Sequence, residues 1–281
     1  FVTSTGTAPE AMEIKYGDAY GELPVLTDAA LRFMGWFTAA SGGTQVTADT
    51  TFTGLADQTL YAHWEQKITI QNSWITITPR TENYDESEPG FPANFTVNAP
   101  DGDLKAEDFT VTYLWEKADA EWTEDAPVNA GGYLVKLSRA ADDKYLAFEL
   151  TTDQAAVVIN KLNLNLRTPE VTISNWIATV DTSGCGIKGN GTVTYIMKRN
   201  YTTSDGYDNS AEVDRNTTGT FDISDYGHGA GIYAFGIEVT GGTNYNDDSS
   251  RFEVYNVDEN GNGKSIWETL SLSLAGNPEP A

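Results

Sequence analysis

Apolar and polar side chains alternate with a period of two residues along much of this chain. The clearest runs are residues 12–16, 33–37, 60–64, 74–78 and 109–115. Successive side chains of a strand point to opposite faces, so this period predicts β-strands that bury one face. Clusters of Gly, Asn, Asp and Pro separate the runs and predict turns. The pattern as a whole predicts an all-β protein.

The spacing of the predicted strands divides the chain into three modules. With 281 residues, the chain is long enough for two domains or three small ones. We expect modules at residues 1–66, 67–161 and 162–281, with boundaries near Lys67 and Leu162. In the second and third modules, short strands with turn signals at this spacing predict β-sandwiches.

The third module resembles a divergent copy of the second. Residues 111–117 resemble 193–198, and 130–133 resemble 230–233. In both copies a tyrosine follows twelve residues after the second motif, at Tyr145 and Tyr245. Because sheet register fixes such intervals, the repetition indicates a shared fold.

The copies differ by a longer connection in the third module. If Tyr113 is aligned with Tyr195, the interval to the tyrosine of the next motif is 20 residues in the second module, to Tyr133, and 38 in the third, to Tyr233. The third module is thus longer by 18 residues at this point. The additional residues fall within 200–224, which we expect to be a surface insertion. Such insertions often carry function, which makes Tyr201 and Tyr207 candidate ligand-binding residues. The alternative is a tolerated loop without a role, since added loop length costs little free energy.

A dense set of features marks the first module. Phe33, Trp36 and Phe37 form an aromatic cluster, a Gly42-Gly43 turn follows, and residues 59–64 read Thr-Leu-Tyr-Ala-His-Trp. This arrangement closely resembles the Listeria-Bacteroides repeat, also known as the B-repeat of internalins. Met34 departs from the small polar residue more usual in that family.

The resemblance implies a β-grasp-like fold of about 65 residues, the size of a small domain. Residues 1–3 look like the remnant of the family's first strand, which implies that the chain begins inside it. Trp36 and Trp64 could stack on a ligand, but their place in the repeat signature favours core packing.

The second module resembles the MBG-type immunoglobulin-like domains. The features are an Ala-Gly-x-Tyr strand at 130–133, a Lys-Tyr strand at 144–145 and a closing Val-Ile-Asn-Lys at 158–161. Such domains often accompany the repeat in bacterial adhesins. The resemblance implies immunoglobulin-like β-sandwiches after the first module.

Charge and cysteine content exclude several classes of function. The formal net charge of −24 repels phosphate backbones and anionic lipids, which argues against nucleic-acid or membrane-surface binding. Cys185 is the only cysteine, so neither an intrachain disulfide nor a cysteine-based zinc site is expected. No apolar run approaches the ~18 residues of a membrane span. We expect an exported or cell-wall-attached, monomeric protein.

One segment resembles half of a calcium-binding loop. Asp258, Asn260 and Asn262 place oxygen side chains at alternate positions before Gly263. The bidentate acid expected at position 269 is absent, and Glu268 stands one residue early. Calcium is the one cofactor that the sequence suggests, and a glycine-rich turn is the alternative.

Nothing in the sequence specifies a catalytic chemistry. Neither His63 nor His228 has a recognisable serine, cysteine or acid partner, and Cys185 lacks a histidine partner that could activate it. A glycosidase needs only two carboxylates, but also a cleft that raises the pKa of one. We therefore do not expect an enzyme.

Trp122 is the best candidate for an exposed aromatic side chain. It stands between Glu121 and Glu124 in a polar segment. Aromatic rings beside acids on loops can stack on sugars, whereas the alternative is a half-buried loop anchor.

Two functional hypotheses follow. The first is a non-catalytic segment of a bacterial surface protein that acts as a spacer or in adhesion, with a host or bacterial surface protein or a glycan as partner. The second is a carbohydrate-binding module of an exported glycan-degrading enzyme. Exposed aromatic side chains at Trp122 or in the insertion would favour the second.

Overall fold

The computed structural model describes residues 1–200, 210–226 and 230–266, and these form an all-β protein. Strands make up its regular structure together with three short 3₁₀ turns, at Asn72–Trp74, Ala106–Asp108 and Ile223–Tyr226. The predicted all-β class is therefore confirmed.

The chain divides into two compact units. The first comprises Phe1–Arg80, Pro92–Pro127 and Tyr133–Val157, and the second comprises Thr81–Phe91, Val128–Gly132 and Val158–Ala281. The predicted module boundaries at Lys67 and Leu162 stay a prediction.

The first three strands form one antiparallel sheet in the order β2-β1-β3. They are β1 (Leu31–Phe37), β2 (Gln45–Val46) and β3 (Tyr61–Gln66). Val2 pairs in parallel with Tyr61, which adds a parallel bridge beside β3. The register of β1 and β3 shifts between Phe33 and Gly35, and Gly35 has a positive φ of 112°. Glycine adopts this conformation without a steric penalty, so it suits the bulge.

Trp36 centres the core of this sheet, as the family resemblance implies. Its side chain is 1% exposed and packs against Phe1 and Phe33. The indole N–H donates to the carbonyl oxygen of Pro24 at 2.7 Å, which satisfies its polar atom. Trp64 is half-buried against Phe33. Both tryptophans therefore contribute to packing.

The predicted strand at residues 12–16 is not formed. The segment alternates as a strand should, yet it belongs to no ladder in the described chain. Only Ile14 packs against the core, whereas Met12 and Tyr16 are exposed. A strand needs a hydrogen-bonded neighbour, and the fold supplies none here.

Two further sheets share a core in the middle of the sequence. β4 (Ile75–Thr78) pairs with β6 (Asn94–Val97). In the other sheet β8 (Gly131–Arg139) pairs with both β7 (Thr110–Trp115) and β9 (Phe148–Thr151). The remaining strands of this part of the sequence are β5 (Arg80–Asn83) and β10 (Val157–Asn160). Phe109 packs edge-on against Phe95 of β6 and Phe148 of β9, so the sheets form a β-sandwich.

The second unit contains another sandwich. One sheet has the order β11-β12-β15 and the other β14-β13-β16-β18-β19, with β17 paired to β16. The strands are β11 (Glu170–Ser174), β12 (Ile177–Asp181), β13 (Val193–Asn200), β14 (Ser210–Asn216), β15 (Thr220–Asp222), β16 (Gly231–Val239), β17 (Asp248–Ser249), β18 (Glu253–Val257) and β19 (Gly263–Ser265). Ala178 and Phe221 from one sheet meet Phe235 and Val257 from the other in one buried cluster.

Main-chain pairing supports the internal repeat. Ile68 pairs in parallel with Tyr145, and Leu162 pairs in parallel with Tyr245. In each pair, the backbone N–H of the isoleucine or leucine donates to the carbonyl of the residue that precedes the tyrosine. Its backbone carbonyl accepts from the N–H of the residue that follows the tyrosine. The two tyrosines therefore occupy equivalent positions.

The strand registers correct one part of the sequence alignment. Tyr113 lies opposite Val135, two residues beyond Tyr133, whereas Tyr195 lies opposite Ile237, four residues beyond Tyr233. If Tyr133 and Tyr233 are equivalent, Val135 corresponds to Phe235, whose partner is Met197. Tyr113 therefore matches Met197 rather than Tyr195. A shift of two residues keeps every side chain on its face, so the apolar pattern cannot detect it.

Part of the predicted surface insertion belongs to the core. Residues 210–216 form β14, which pairs with β13, and residues 220–222 form β15, which pairs with β12. Phe221 and Ile223 are fully buried.

Among the described residues, no helix is long and apolar enough to cross a membrane.

Candidate functional site

Trp122 lies in a loop that folds back onto β7. The backbone groups of Tyr113 and Thr123 exchange two hydrogen bonds, of 2.7 and 3.0 Å, and so fix the loop beside the strand. Asp119 adopts a positive φ of 62° at the tip, a conformation that Asp tolerates better than most residues. Local backbone pairing thus positions the tryptophan.

The ring of Trp122 is half-buried and already has a cationic partner. The ammonium group of Lys136, on β8, lies 4.7 Å from the ring centroid. A cation over the face of an indole ring is attracted by the negative potential of the π-system. A sugar stacking on the same face would have to displace this lysine.

A second aromatic pair lies where β7 ends and β8 begins. Trp115 and Tyr133 are direct partners on the ladder, and their rings stack at 5.8 Å between centroids. The ammonium group of Lys117 lies 4.9 Å from the Trp115 ring. Trp115 therefore has a cationic partner as Trp122 does, although the sequence suggested only Trp122 as a candidate.

The proposed calcium loop is a tight turn whose acid binds its own backbone. One carboxylate oxygen of Asp258 accepts hydrogen bonds from the N–H groups of Asn260 and Asn262, at 2.9 and 2.8 Å. The side-chain oxygen of Asn262 faces the N–H of Asn175 at 3.5 Å. Two of the three proposed ligands thus have protein partners. Glu268 and the position of the missing acid, Thr269, lie outside the described residues.

This turn supports a strained β-hairpin. Asn175 and Trp176 connect β11 to β12 and both have positive φ, of 50° and 68°. Trp176 donates its backbone N–H to the carbonyl of Gly261 at 2.9 Å. A side chain at Gly261 would collide with the Trp176 ring, so this glycine allows the close approach. The geometry gives the 258–262 turn a structural role.

Tyr201, Tyr207 and His228 lie outside the described residues. Their predicted roles are therefore not evaluated by the fold.

The remaining candidate residues for chemistry are engaged in packing. His63 stacks on Phe37 with 3.9 Å between ring centroids, and its Nε2 donates to the carbonyl of Ala39 at 2.9 Å. Cys185 is buried, and burial, with the nearby acids Asp181 and Glu170, raises the pKa of its thiol. No group of three or more His, Cys, Asp or Glu side chains within the described ranges could hold a metal ion.

Asp101, whose pKa is strongly lowered, belongs to a surface ion cluster in the first unit. Lys144 contacts Asp101 at 2.7 Å and Asp103 at 2.5 Å, and the Tyr145 hydroxyl donates to Asp101 at 2.6 Å. Hydrogen bonds from Lys144 and Tyr145 lower the pKa of Asp101 to about 2. A carboxylate held ionised is a poor proton donor, so this cluster favours a structural role.

Sequence reasoning missed a groove in the first module. It has a volume of about 680 Å³, and its lining includes Met12, Ile14, Tyr16, Phe52, Leu55 and Leu60. Leu55 is 95% exposed and Tyr16 67% exposed. Six of the eight large exposed hydrophobic residues of the described chain lie in residues 1–66. The signal available in the sequence was the alternating segment 12–16, whose apolar residues have no partner strand.

Comparisons with known proteins bear on the first module. The family model of the Listeria-Bacteroides repeat domain matches residues 1–63, so this module is such a repeat. The repeat is typical of extracellular surface proteins.

Among solved structures, the chain is similar to domains A168-A170 of titin. The TM-score is 0.24 and the sequence identity is 13%, over 53% of this chain. The match covers 55% of the titin structure, so the chain spans about half of it. No curated protein matches the sequence.

Proposed function

We propose that this chain is a non-catalytic segment of an exported bacterial surface protein, where it acts as a spacer or in adhesion. The observation that carries the proposal is the Listeria-Bacteroides repeat at residues 1–63, a module typical of extracellular surface proteins. The strand-rich architecture that follows is consistent with a modular surface protein, in which small β domains follow one another.

The packing of each unit suits a domain that works without a disulfide or a cofactor. Tyr20 and Trp36 pack with Val46 and Leu60 in the core of the first module, and a cluster of aromatic and aliphatic side chains fills the sandwich of the second unit. Buried aromatic side chains supply a large share of apolar burial in small domains. We expect these cores to keep each unit folded in the extracellular medium.

Side-chain chemistry supports a non-catalytic role. His63 is held by a ring stack and a hydrogen bond, and the Cys185 thiol has a raised pKa that disfavours the reactive thiolate. A nucleophile needs a base within hydrogen-bonding reach. The described parts of the chain place neither residue in such a pair.

The location can be tested on the bacterium that produces the protein. Antibodies raised against the purified chain should label intact cells, and brief protease treatment of those cells should remove the signal. An antibody against a cytoplasmic protein serves as the control for cell integrity. Labelling that appears only after lysis would refute the proposal.

The same cells can separate adhesion from spacing. If the chain contributes to adhesion, an excess of the purified chain should compete with attachment of cells to their target surface. If it acts as a spacer, replacing it by unrelated β domains of equal length should preserve attachment, whereas deletion should impair it. Loss of attachment in the replacement strain, without competition by the free chain, would contradict both roles.

The carbohydrate-binding alternative stays a prediction. The Lys136 ammonium group lies over the Trp122 ring, and the other proposed contacts, Tyr201 and Tyr207, lie outside the described residues. The fold therefore provides no additional observation in its favour.

A further inference from the structure

We propose that the groove of the first module binds an extended, basic peptide segment of another protein by strand addition along residues 11–16. The proposed function names neither a ligand nor a binding groove, so this inference goes beyond it. Three independent features carry it: unpaired main-chain groups, an apolar groove and an excess of negative charge.

The main chain beside the groove lacks hydrogen-bond partners. Within the described part of the chain, the backbone N–H and C=O groups of residues 6–14 form no hydrogen bond to any protein group. Residues 17–21 contrast with them, because they exchange four backbone hydrogen bonds with residues 48–52. Residues 11–14 therefore offer free donors and acceptors, which is the requirement for strand addition, whereas the carbonyl of Lys15 already accepts from the N–H of Asp18 at 3.0 Å.

The side chains of the same segment have the alternation of a strand. Met12, Ile14 and Tyr16 alternate with Glu13 and Lys15. This pattern is typical of a strand with one apolar face, yet the described residues provide no neighbouring strand. An added strand would give the segment the ladder that its sequence favours.

The groove supplies sites for apolar side chains of the added strand. Segment 11–16 forms one wall and residues 52–58 the other, while the core residues Tyr20 and Leu60 contribute to the lining. The volume of about 680 Å³ falls in the usual range of ligand pockets, roughly 300–1,000 Å³. In peptide recognition by strand addition, main-chain hydrogen bonds provide affinity and side-chain pockets provide specificity.

Charge determines the kind of peptide. Residues 1–66 contain eight carboxylates against one lysine and one arginine, a net charge of −6. Glu13 and Asp57 line the groove, and none of its lining residues is basic. A peptide with lysine or arginine between its apolar residues complements this surface. A second copy of this chain, with a net charge of −24, would be repelled.

The test uses the full chain and a mixture of synthetic peptides of about six residues, the usual length of a strand. In the mixture, lysine alternates with Val, Leu, Ile, Phe, Tyr or Trp. Two comparison mixtures carry glutamate in place of lysine, or N-methyl groups on alternate amides that remove the hydrogen-bond donors. Binding is measured by calorimetry, and the site is located from the backbone amide shifts of the isotope-labelled chain.

We expect saturable binding of the lysine mixture, with amide shifts concentrated at residues 11–16 and 52–58. The glutamate and N-methyl mixtures should bind at least about tenfold more weakly, because each removes a class of contact. Replacing Met12 and Leu55 together by serine should weaken binding about tenfold, since exposed apolar contacts are lost. The matched control is Val25→Ser, which removes another exposed apolar side chain of the same module and should change the affinity less than about twofold.

Several results would overturn the proposal. The proposal is wrong if no saturable binding occurs up to about 1 mM peptide, or if the lysine and glutamate mixtures bind equally well. It is also wrong if the double serine variant binds as tightly as the unmodified chain, or if the amide shifts lie outside residues 11–16 and 52–58. If light scattering shows a dimer that is lost on Leu55→Ser, the occupant is a second copy and the peptide proposal is wrong.

Discussion

At the scale of single residues, two glycines allow backbone segments of the second unit to approach closely. A Cβ atom at Gly191 would lie 1.3 Å from the carbonyl oxygen of Thr240, and one at Gly241 would lie 2.1 Å from that of Tyr245. Neither glycine has a positive φ, so the constraint is space rather than backbone conformation. These backbone atoms cannot move aside as the end of a flexible side chain could.

Gly191→Ala should destabilise the second unit by about 2 kcal/mol or more, because the added methyl group forces β13 and β16 apart at their ends. The measurement is the midpoint of urea unfolding. Gly184→Ala is the matched control, since a Cβ atom there meets nothing within 4 Å and its φ is not positive. Equal midpoints for the two variants would contradict the proposed close approach.

At the scale of elements, the two equivalent tyrosines, Tyr145 and Tyr245, each form a hydrogen bond from the hydroxyl to an acid. The Tyr145 hydroxyl donates to Asp101, and the hydroxyl of the equivalent Tyr245 donates to Glu86. Burial and the hydrogen bond to Glu86 raise the pKa of Tyr245 to about 12. The chemistry of the link is therefore the same in both copies, although the acids come from different segments.

The Asp101 link should make the stability of the first unit depend on acid pH. Its pKa is lowered from 3.8 to about 2 in the folded state, so its contribution is complete above pH 3.8 and is lost as the pH falls towards 2. Asp101→Asn should lower the melting temperature at pH 7 and have little effect near pH 2. The measurement is thermal unfolding followed by circular dichroism across this range.

The exposed residue Asp153 provides the control for that experiment, because Asp153→Asn removes the same charge from the same unit. An equal effect of the two variants at pH 7 would mean that net charge, and not the link to Lys144 and Tyr145, is responsible.

At the scale of the whole molecule, the excess of negative charge opposes compaction. The chain carries 41 acidic residues against 17 basic ones, which gives the net charge of −24. Like charges at the surface repel one another, and salt screens this repulsion over a distance of about 8 Å at physiological ionic strength. The charge thus favours solubility at some cost in stability.

Raising the concentration of sodium chloride from about 0.01 M to about 0.5 M should therefore raise the melting temperature by about 2–4 °C, which corresponds to ~1 kcal/mol. Scanning calorimetry at pH 7 measures the change. A series with a neutral osmolyte at equal osmolality controls for effects other than screening. A melting temperature that falls with salt would show that favourable ion pairs outweigh the repulsion.

The sequence by itself determined where several strands lie and how the first core is built. Alternation predicted β1, β3, β4 and β7 because burial of one face imposes a period of two on each strand. The repeat signature placed Trp36 in the core, since a large aromatic side chain within such a module is usually buried.

Only the tertiary structure decided which segments pair and what each candidate residue contacts. Residues 12–16 alternate like a strand but have no neighbour, and Phe221 lies in a polar stretch but is fully buried. Lys136 reaches Trp122 from another part of the chain. The period of a strand records only that one face is buried. The partner that buries it comes from a distant segment, and a register shift of two residues leaves the pattern unchanged.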